Sequence, residues 1–268
     1  MDDDVEFRSD LFHGTAADYD TFRIDYPKAL VDDLVRRSKV TGQGVCLDLA
    51  CGTGQMAFAL APGFREVWAV DQEPDMIALV CDKATRAGAT HVHSVASAAE
   101  ALDAPLAAFE LVTVGNAFHR LRRDTVARSI FAWLKPGGHV ALVWGDSPWV
   151  GDSGWQTALV ENLDRWKATS AGRVPLGWEE PRRQRPDRLV LTEVGLEFLG
   201  TFGFSEEYRW TVEELIGFVY STSFLSRHAL GACASEFESD MHSSLDRFDS
   251  SVGLHQTINF AYEFYVRP

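Results

Sequence analysis

A small set of residues in this chain has the type and spacing to do chemistry. Asp48 lies near the end of an apolar, β-prone run, Val45-Cys46-Leu47-Asp48-Leu49, and a turn containing Gly52 and Gly54 follows it directly. Glycines in such a turn let a ligand approach backbone that a Cβ would shield. Asp71 falls about 20 positions past Gly52, the interval at which an acid closing the second strand of an α/β unit accepts ribose hydroxyls. His119 follows a fourth apolar run, and histidine titrates close enough to neutrality to take a proton from a hydroxyl. Arg23 sits among Phe12, Tyr19, Phe22 and Tyr26, where a guanidinium can grip a carboxylate through two parallel hydrogen bonds.

Two ligand classes suit the Val45 to Ala57 stretch. Gly52-Thr53-Gly54-Gln55-Met56-Ala57 satisfies G-x-G-x-x-G/A, the pattern of a dinucleotide site. A dinucleotide would set an anionic pyrophosphate over the turn, and the Asp48 carboxylate would repel it. S-adenosylmethionine has no phosphate and carries an ammonium and a sulfonium, so an acid at the strand end favours it.

The elements that must position these residues are legible in order. A preamble, residues 1–40, holds the aromatic-rich stretch Phe12 to Tyr26 and a helix predicted over Lys28 to Ser38. The first strand and a helix running roughly to Leu60 come next, then a second strand, Glu66 to Val70, that delivers Asp71. Gln72-Glu73-Pro74-Asp75-Met76 opens the following helix, with Pro in its first turn. A third strand, about His91 to Val95, leads to Ser97-Ala98-Ala99-Glu100; His91 and His93 share one strand face, and with no third ligand in view they read as ordinary strand residues. A fourth strand, Glu110 to Val114, ends in Gly115-Asn116-Ala117-Phe118-His119. A helix over Asp124 to Leu134 and a Lys135-Pro136-Gly137-Gly138 turn then bring the chain to a fifth strand, His139 to Trp144. Five βα repeats in this order predict a parallel sheet covered on both faces. Beyond Gly145 the spacing predicts a helix over Trp155 to Lys167, a loop over Ala168 to Arg188, a short helix over Thr192 to Leu199 and a strand over Phe204 to Trp210. A capped helix from Thr211 to Tyr220, a polar helix from Cys233 to Leu245 and a last alternating strand from His255 to Val266 follow. Residues 41–150 thus form the expected ligand-binding core, and residues 151–268 the remaining strands with a helical insert.

Composition narrows the classes further. The 268 residues carry 25 Lys and Arg against 39 Asp and Glu, a formal net charge of −14, which argues against a phosphate-backbone footprint and hence a nucleic-acid partner. The basic cluster Arg182 to Arg188 is short and Pro-flanked, and reads as a solvated loop. Cys46, Cys51, Cys81 and Cys233 show no C-x-x-C pairing, so a reduced compartment is expected and a zinc site has no support. The acidic start, MDDDVEF, is unlike a signal peptide, and no apolar run reaches membrane length. A cytoplasmic protein, monomeric or homodimeric, is expected.

With the motifs in order, the chain resembles the class I S-adenosylmethionine-dependent methyltransferases, in particular bacterial small-molecule enzymes that write LDLxCGTG, VDxxPxM, NAFHW and LKPGG. Here these are Leu47-Asp48-Leu49-Ala50-Cys51-Gly52-Thr53-Gly54, Val70 to Met76, Asn116-Ala117-Phe118-His119-Arg120 and Leu134 to Gly138. The resemblance covers about Tyr19 to Trp144. Ala50 replaces the family's first glycine, Arg120 the aromatic that often follows the His, and Ala98 an acid often used on the adenine amino group. The resemblance implies a Rossmann-like seven-stranded α/β sheet, order 3-2-1-4-5-7-6 with the last strand antiparallel, and a helical insert covering the substrate. It also implies roles: Gly52, Gly54 and the Ala50 backbone under the methionyl part, Asp71 on the ribose, and Gln72 and Met76 flanking the adenine. Ala98, Ala99 and Glu100 would lie near that base and Asn116 under the sulfonium. Tyr19, Arg23 and Tyr26 match a Y-x-x-x-R-x-x-Y preamble that serves the donor's carboxylate.

The expected reaction moves a methyl group to a small organic acceptor, at oxygen, in specialised metabolism, leaving S-adenosylhomocysteine. Transfer to nitrogen or carbon is the alternative, and an NAD(P)-dependent oxidoreductase a more distant one. His119 is the candidate general base, with a packing role as the plain alternative. Asp146 after the fifth strand lacks the partner acids of a metal site. Ser147-Pro148-Trp149 follows the fifth strand, not the fourth, where nucleic-acid amino methylases place a comparable loop. Trp144, Trp149, Trp155 and Trp178, with Tyr220 to Phe224, are the candidate lining of an aromatic acceptor pocket.

Overall fold

A computed structural model describes residues 12–169, 179–249 and 253–268. The strands β1 (Val45–Leu49), β2 (Glu66–Asp71), β3 (Val92–Ala96), β4 (Phe109–Gly115), β5 (Leu134–Gly145), β6 (Glu197–Trp210) and β7 (Leu254–Val266) form one sheet in the order β3-β2-β1-β4-β5-β7-β6. The first five are mutually parallel, and β7 runs antiparallel between β5 and β6. The fold is therefore the Rossmann-like seven-stranded α/β sheet expected. Its strand order reverses between β1 and β4, and a crevice opens beyond the carboxyl ends of strands at such a reversal.

Alternation along the strands loads both faces. Leu111, Ala141 and Val143 join a core on one side with Leu30, Leu34, Met56, Leu60 and Val80. Their neighbours Val112, Val114, Val140 and Leu142 join Val126, Ile130, Val190 and Leu191 on the other. The helices that supply these contacts are α2 (Lys28–Ser38) and α3 (Gln55–Leu60) with α4 (Pro74–Ala87) on the first face, and α5 (Arg123–Trp133) and α8 (Asp187–Glu193) on the second. Cores covered on both faces explain why β1 and β4 read as near-continuous apolar runs.

After β5 a helical layer stacks above the crevice. Helices α6 (Gly154–Thr169), α9 (Val212–Tyr220) and α11 (Ala234–Asp249) pack through Trp166 against Phe237 and Tyr220 against Phe237. Trp166 Nε1 donates to Asp240 Oδ2 at 3.1 Å. The start of α9 is a full capping box: the Thr211 hydroxyl accepts from Glu214 N and the Glu214 carboxylate accepts from Thr211 N. Helix α1 (Ala16–Phe22) lies against α9, and Gly217 makes room for it, because a Cβ there would collide with the Phe22 ring.

Several elements depart from expectation, each for a tertiary reason. Lys135 to Gly138 is already strand, since Gly137 N donates to Arg267 O at 2.7 Å and Arg267 N donates to Gly138 O at 2.9 Å. The helix expected over Thr192 to Leu199 lies earlier, at Asp187–Glu193. It ends where Gly195 adopts a φ of 98°, and β6 begins at Glu197 rather than near Phe204. An antiparallel ladder to β7, with one register shift between Phe198 and Gly200, overrides the local helical preference, pairing Glu197 with Val266 and Trp210 with Leu254. The connection from β3 to β4 contains turns and no helix, so the βα repetition is incomplete there. The short α7 (Glu179–Gln184) lies within the stretch expected to be loop. Trp178 lies outside the described residues.

Candidate active site

The turn after β1 is built on backbone that few side chains tolerate. Ala50, Gly52 and Gly54 have φ of 55°, 56° and 84°, and Asn116 at the end of β4 has 51°. An alanine and an asparagine held in the left-handed region are strained positions of the kind found around functional clefts. Asp71, at the end of β2, locks the turn: its Oδ2 accepts from Gly52 N at 2.8 Å and its Oδ1 from Glu73 N at 3.0 Å. A Cβ on Gly52 would come within 3.3 Å of the Tyr19 ring, so the glycine keeps a bare cradle beneath that aromatic.

Above this turn runs a narrow cleft of about 90 Å³, lined by Ala50, Gly52, Asp71, Gln72, Met76, Ser97, Ala99 and Asn116 and roofed by Phe12, Tyr19 and Arg120. A second cavity, about 350 Å³, adjoins it toward the helical layer and shares Phe12, Tyr19, Asn116 and Arg120 with it. Arg23, Tyr26, His119, Asp146, Trp149, Phe218 and Phe224 stand around this larger space. The ends of β4 and β5 were kept small for their aromatic neighbours: a Cβ on Gly115 would overlap the Tyr26 hydroxyl, and one on Gly145 would reach the Phe260 ring at 2.6 Å.

Of the residues singled out in the sequence, Tyr19, Ala50, Gly52, Asp71, Gln72, Met76, Ala99 and Asn116 converge on the cleft. Arg23, Tyr26 and His119 converge on the larger cavity instead. Four others line neither. Asp48 is 1 % exposed beneath the turn, where its Oδ1 accepts from Thr113 Oγ1 at 2.8 Å. Gly54 is the N-cap of α3, packed under Phe58 and Val80. Ala98 does not reach the cleft, and Glu100 turns away to accept from Arg122 N at 2.7 Å. Of the candidate acceptor lining, Trp149, Thr222 and Phe224 face the larger cavity. Trp155 is core, with Nε1 donating to His255 O, and Tyr220 is core with its hydroxyl on Glu238. Trp144 lines a third cavity, about 410 Å³, which adjoins the second through Asn116, His119 and Gly145. Gln55, Phe218 and Phe260 were missed; each reads as a core or helix residue in sequence, and only the approach of distant elements gives it a cavity face.

The electrostatics of the site follow from burial. Desolvation raises the Asp48 carboxyl to about 7 against the Thr113 hydrogen bond, and raises Asp71 against its amide donors. Burial, then the adjacent Arg120 charge, lowers His119 to about 3, and Arg120 Nε lies 3.2 Å from His119 Nε2. Such a histidine stays neutral yet takes up a proton poorly, so at neutral pH it is a weak base for a hydroxyl. Arg23 lies on the Tyr19 and Phe218 rings, 4.8 and 4.4 Å from their centroids, with Nε donating to Ser221 Oγ at 2.8 Å. Burial lowers Arg120 to about 10, which leaves it charged at neutral pH.

Comparison with known proteins agrees with this geometry. A family model described as a methyltransferase domain matches residues 46–138. The chain is 24% identical over 246 residues to the uncharacterized methyltransferase-like protein C25B8.10 of Schizosaccharomyces pombe, spanning 90% of this chain and 86% of that one. It is 28% identical over 149 residues to the uncharacterized methyltransferase C25B8.09 of the same yeast, 54% of this chain and 55% of the other. Among solved structures, the YcgJ protein of Bacillus subtilis superposes with a TM-score of 0.56 at 15% identity, over 90% of this chain and 99% of that one. Residues 46–138 thus carry a methyltransferase domain, and the sheet order and motifs around it support a class I S-adenosylmethionine-dependent methyltransferase.

Proposed function

We propose that the protein binds S-adenosylmethionine across the cleft and transfers its methyl group to an oxygen of a small organic acceptor held in the larger cavity, a reaction of specialised metabolism. One observation carries this reading: the cleft and the cavity meet at a common wall of Tyr19, Asn116 and Arg120, at the strand-order reversal between β1 and β4. A donor and an acceptor that must react in line need two such adjoining compartments. The residues fit the donor. Gly52 offers a cradle that a Cβ would fill, and Asp71 has carboxylate lone pairs left for ribose hydroxyls beyond its two amide donors. Gln72, Met76 and Ala99 supply the adenine walls, with Ser97 at their edge. Bound there, the donor supplies an electrophilic methyl group.

The chain's residues would then orient and exclude water. Asn116, held at positive φ, presents its side chain where the two spaces meet. Tyr26 and Phe260 close the floor over Gly115 and Gly145. His119 takes the part of a neutral wall and hydrogen-bonding group, in keeping with its lowered pKa. Calorimetric titration with S-adenosylhomocysteine, and in parallel with NAD(H) and NADP(H), tests the donor assignment. Heat from the homocysteine compound alone is expected; binding of a dinucleotide in its place would remove the reaction class.

A further inference from the structure

Among the described residues, the larger cavity is lined by three cationic side chains, Arg23, Arg120 and Lys167, against one carboxylate, Asp146, in a chain whose formal net charge is −14. Asp146 is itself engaged, its Oδ2 accepting from Asn259 N at 3.2 Å and from Asn259 Nδ2 at 2.9 Å. Lys167 reaches Asp164 at 3.3 Å, but that carboxylate is 66% exposed and does not line the cavity. Arg120 enters the wall between the compartments, its guanidinium 5.0 Å from the Phe12 ring centroid and its Nη1 3.3 Å from Ser223 Oγ. Like charges gathered in a half-buried space repel one another, and a donor bearing a sulfonium adds to that repulsion. An anionic acceptor would offset both.

We infer that the acceptor is a carboxylic acid, held through Arg120 with Lys167 and methylated on its carboxylate oxygen to give a methyl ester. The inference rests on the donor assignment proposed above. The step balances without a base: a carboxylate oxygen forms the new O–C bond, the C–S bond breaks, and its electron pair stays on sulfur. An anion and a cation become two neutral molecules, and no proton has to leave. A neutral alcohol or phenol would need a proton acceptor, and His119 is a poor one here. Trp149, Phe218 and Phe224 in the same wall favour an acid with an apolar or aromatic body.

Matched pairs of acid and primary amide test this: benzoate with benzamide, cinnamate with cinnamamide, octanoate with octanamide. Each is titrated calorimetrically into the protein saturated with S-adenosylhomocysteine, whose own binding is measured first. At least one acid is expected to bind at least tenfold more tightly than its amide, and to give a methyl ester by mass spectrometry with S-adenosylmethionine. Arg120→Met should abolish that preference and Arg120→Lys should recover part of it, with Tm and the circular-dichroism spectrum checking that both variants fold. Amides that bind as well as their acids throughout, or a preference that survives Arg120→Met in a folded variant, would overturn the inference. Failure of S-adenosylhomocysteine to bind would instead remove the donor assignment, so the two failures are told apart.

Discussion

At the scale of single residues, Asp71 has a structural duty at the edge of the proposed donor cleft. It holds the amides of Gly52 and Glu73, so replacing it disturbs the turn as well as any ribose contact. Asp71→Ala is expected to weaken S-adenosylhomocysteine binding by about 10- to 100-fold, roughly 1.4 to 3 kcal/mol for a lost charge-assisted contact; unchanged affinity by calorimetry would dissociate this residue from the donor. His119 makes the opposite point. Because burial and Arg120 hold its pKa near 3, it is already neutral across the usual assay range and does not titrate there. His119→Ala should therefore leave the shape of the kcat/KM profile between about pH 6 and 9 unchanged, whatever it does to the magnitude. Disappearance of an acidic limb near pH 6 to 7 in the variant would restore the base role.

At the scale of elements, α1 is the part whose behaviour matters most. Its Tyr19 roofs the cleft over Gly52, and it is tied on two sides: Asp20 to Lys83 of α4 at 2.7 Å, and Asp18 to Arg227 of α10 (Arg227–Leu230) at 3.2 Å. Arg23, just after it, bonds Ser221 beyond α9. We expect α1 to shift as a nucleoside enters a cleft this narrow under its aromatic roof. These partly exposed ion pairs, worth on the order of 1 kcal/mol or less each, permit such a shift. Hydrogen exchange should show the amides of residues 16–23 opening in the free protein and protected on addition of S-adenosylhomocysteine, with the β4 and β5 amides little changed. Equal protection of α1 with and without the ligand would make it a fixed wall.

At the scale of the whole molecule, Asp48 links the site to stability. Its folded pKa, about 7, lies above the ordinary carboxylate value because burial disfavours the charged form. The sign follows: the native state pays nothing for Asp48 while it is protonated, so its contribution is most favourable below about pH 4. It is then lost as pH rises through about 7, at about 1.4 kcal/mol per unit of pKa difference. Asp48→Asn should keep the Thr113 contact while removing that slope. The variant should gain on the parent by a few kcal/mol in denaturant unfolding at pH 8 relative to pH 4. A constant difference between the two proteins over that range would mean that Asp48 is ionised at no unusual cost.

Much of this molecule was determined by the sequence alone. The five parallel strands, the turn at Gly52 and Gly54, the acid at Asp71 and a closing strand rest on local patterns, because alternation, turn glycines and helix starts are properties of short stretches, whereas the antiparallel direction of that closing strand was implied by the family resemblance. The convergence of Gly52, Asp71, Gln72, Met76 and Asn116 also followed, since the ends of neighbouring parallel strands must lie side by side, while Tyr19 on α1 was expected there only from the family resemblance. Tertiary structure alone decided the rest. β6 runs from Glu197 because β7 offers it a ladder partner from end to end, interrupted by one register shift, a pairing of residues more than 40 positions apart that no local preference encodes. Asp48 sits under the turn and Arg120 in the wall between two cavities because burial depends on what packs from elsewhere. The lowered pKa of His119 has the same origin: a side chain's type is written in the sequence, but its solvent is supplied by the fold.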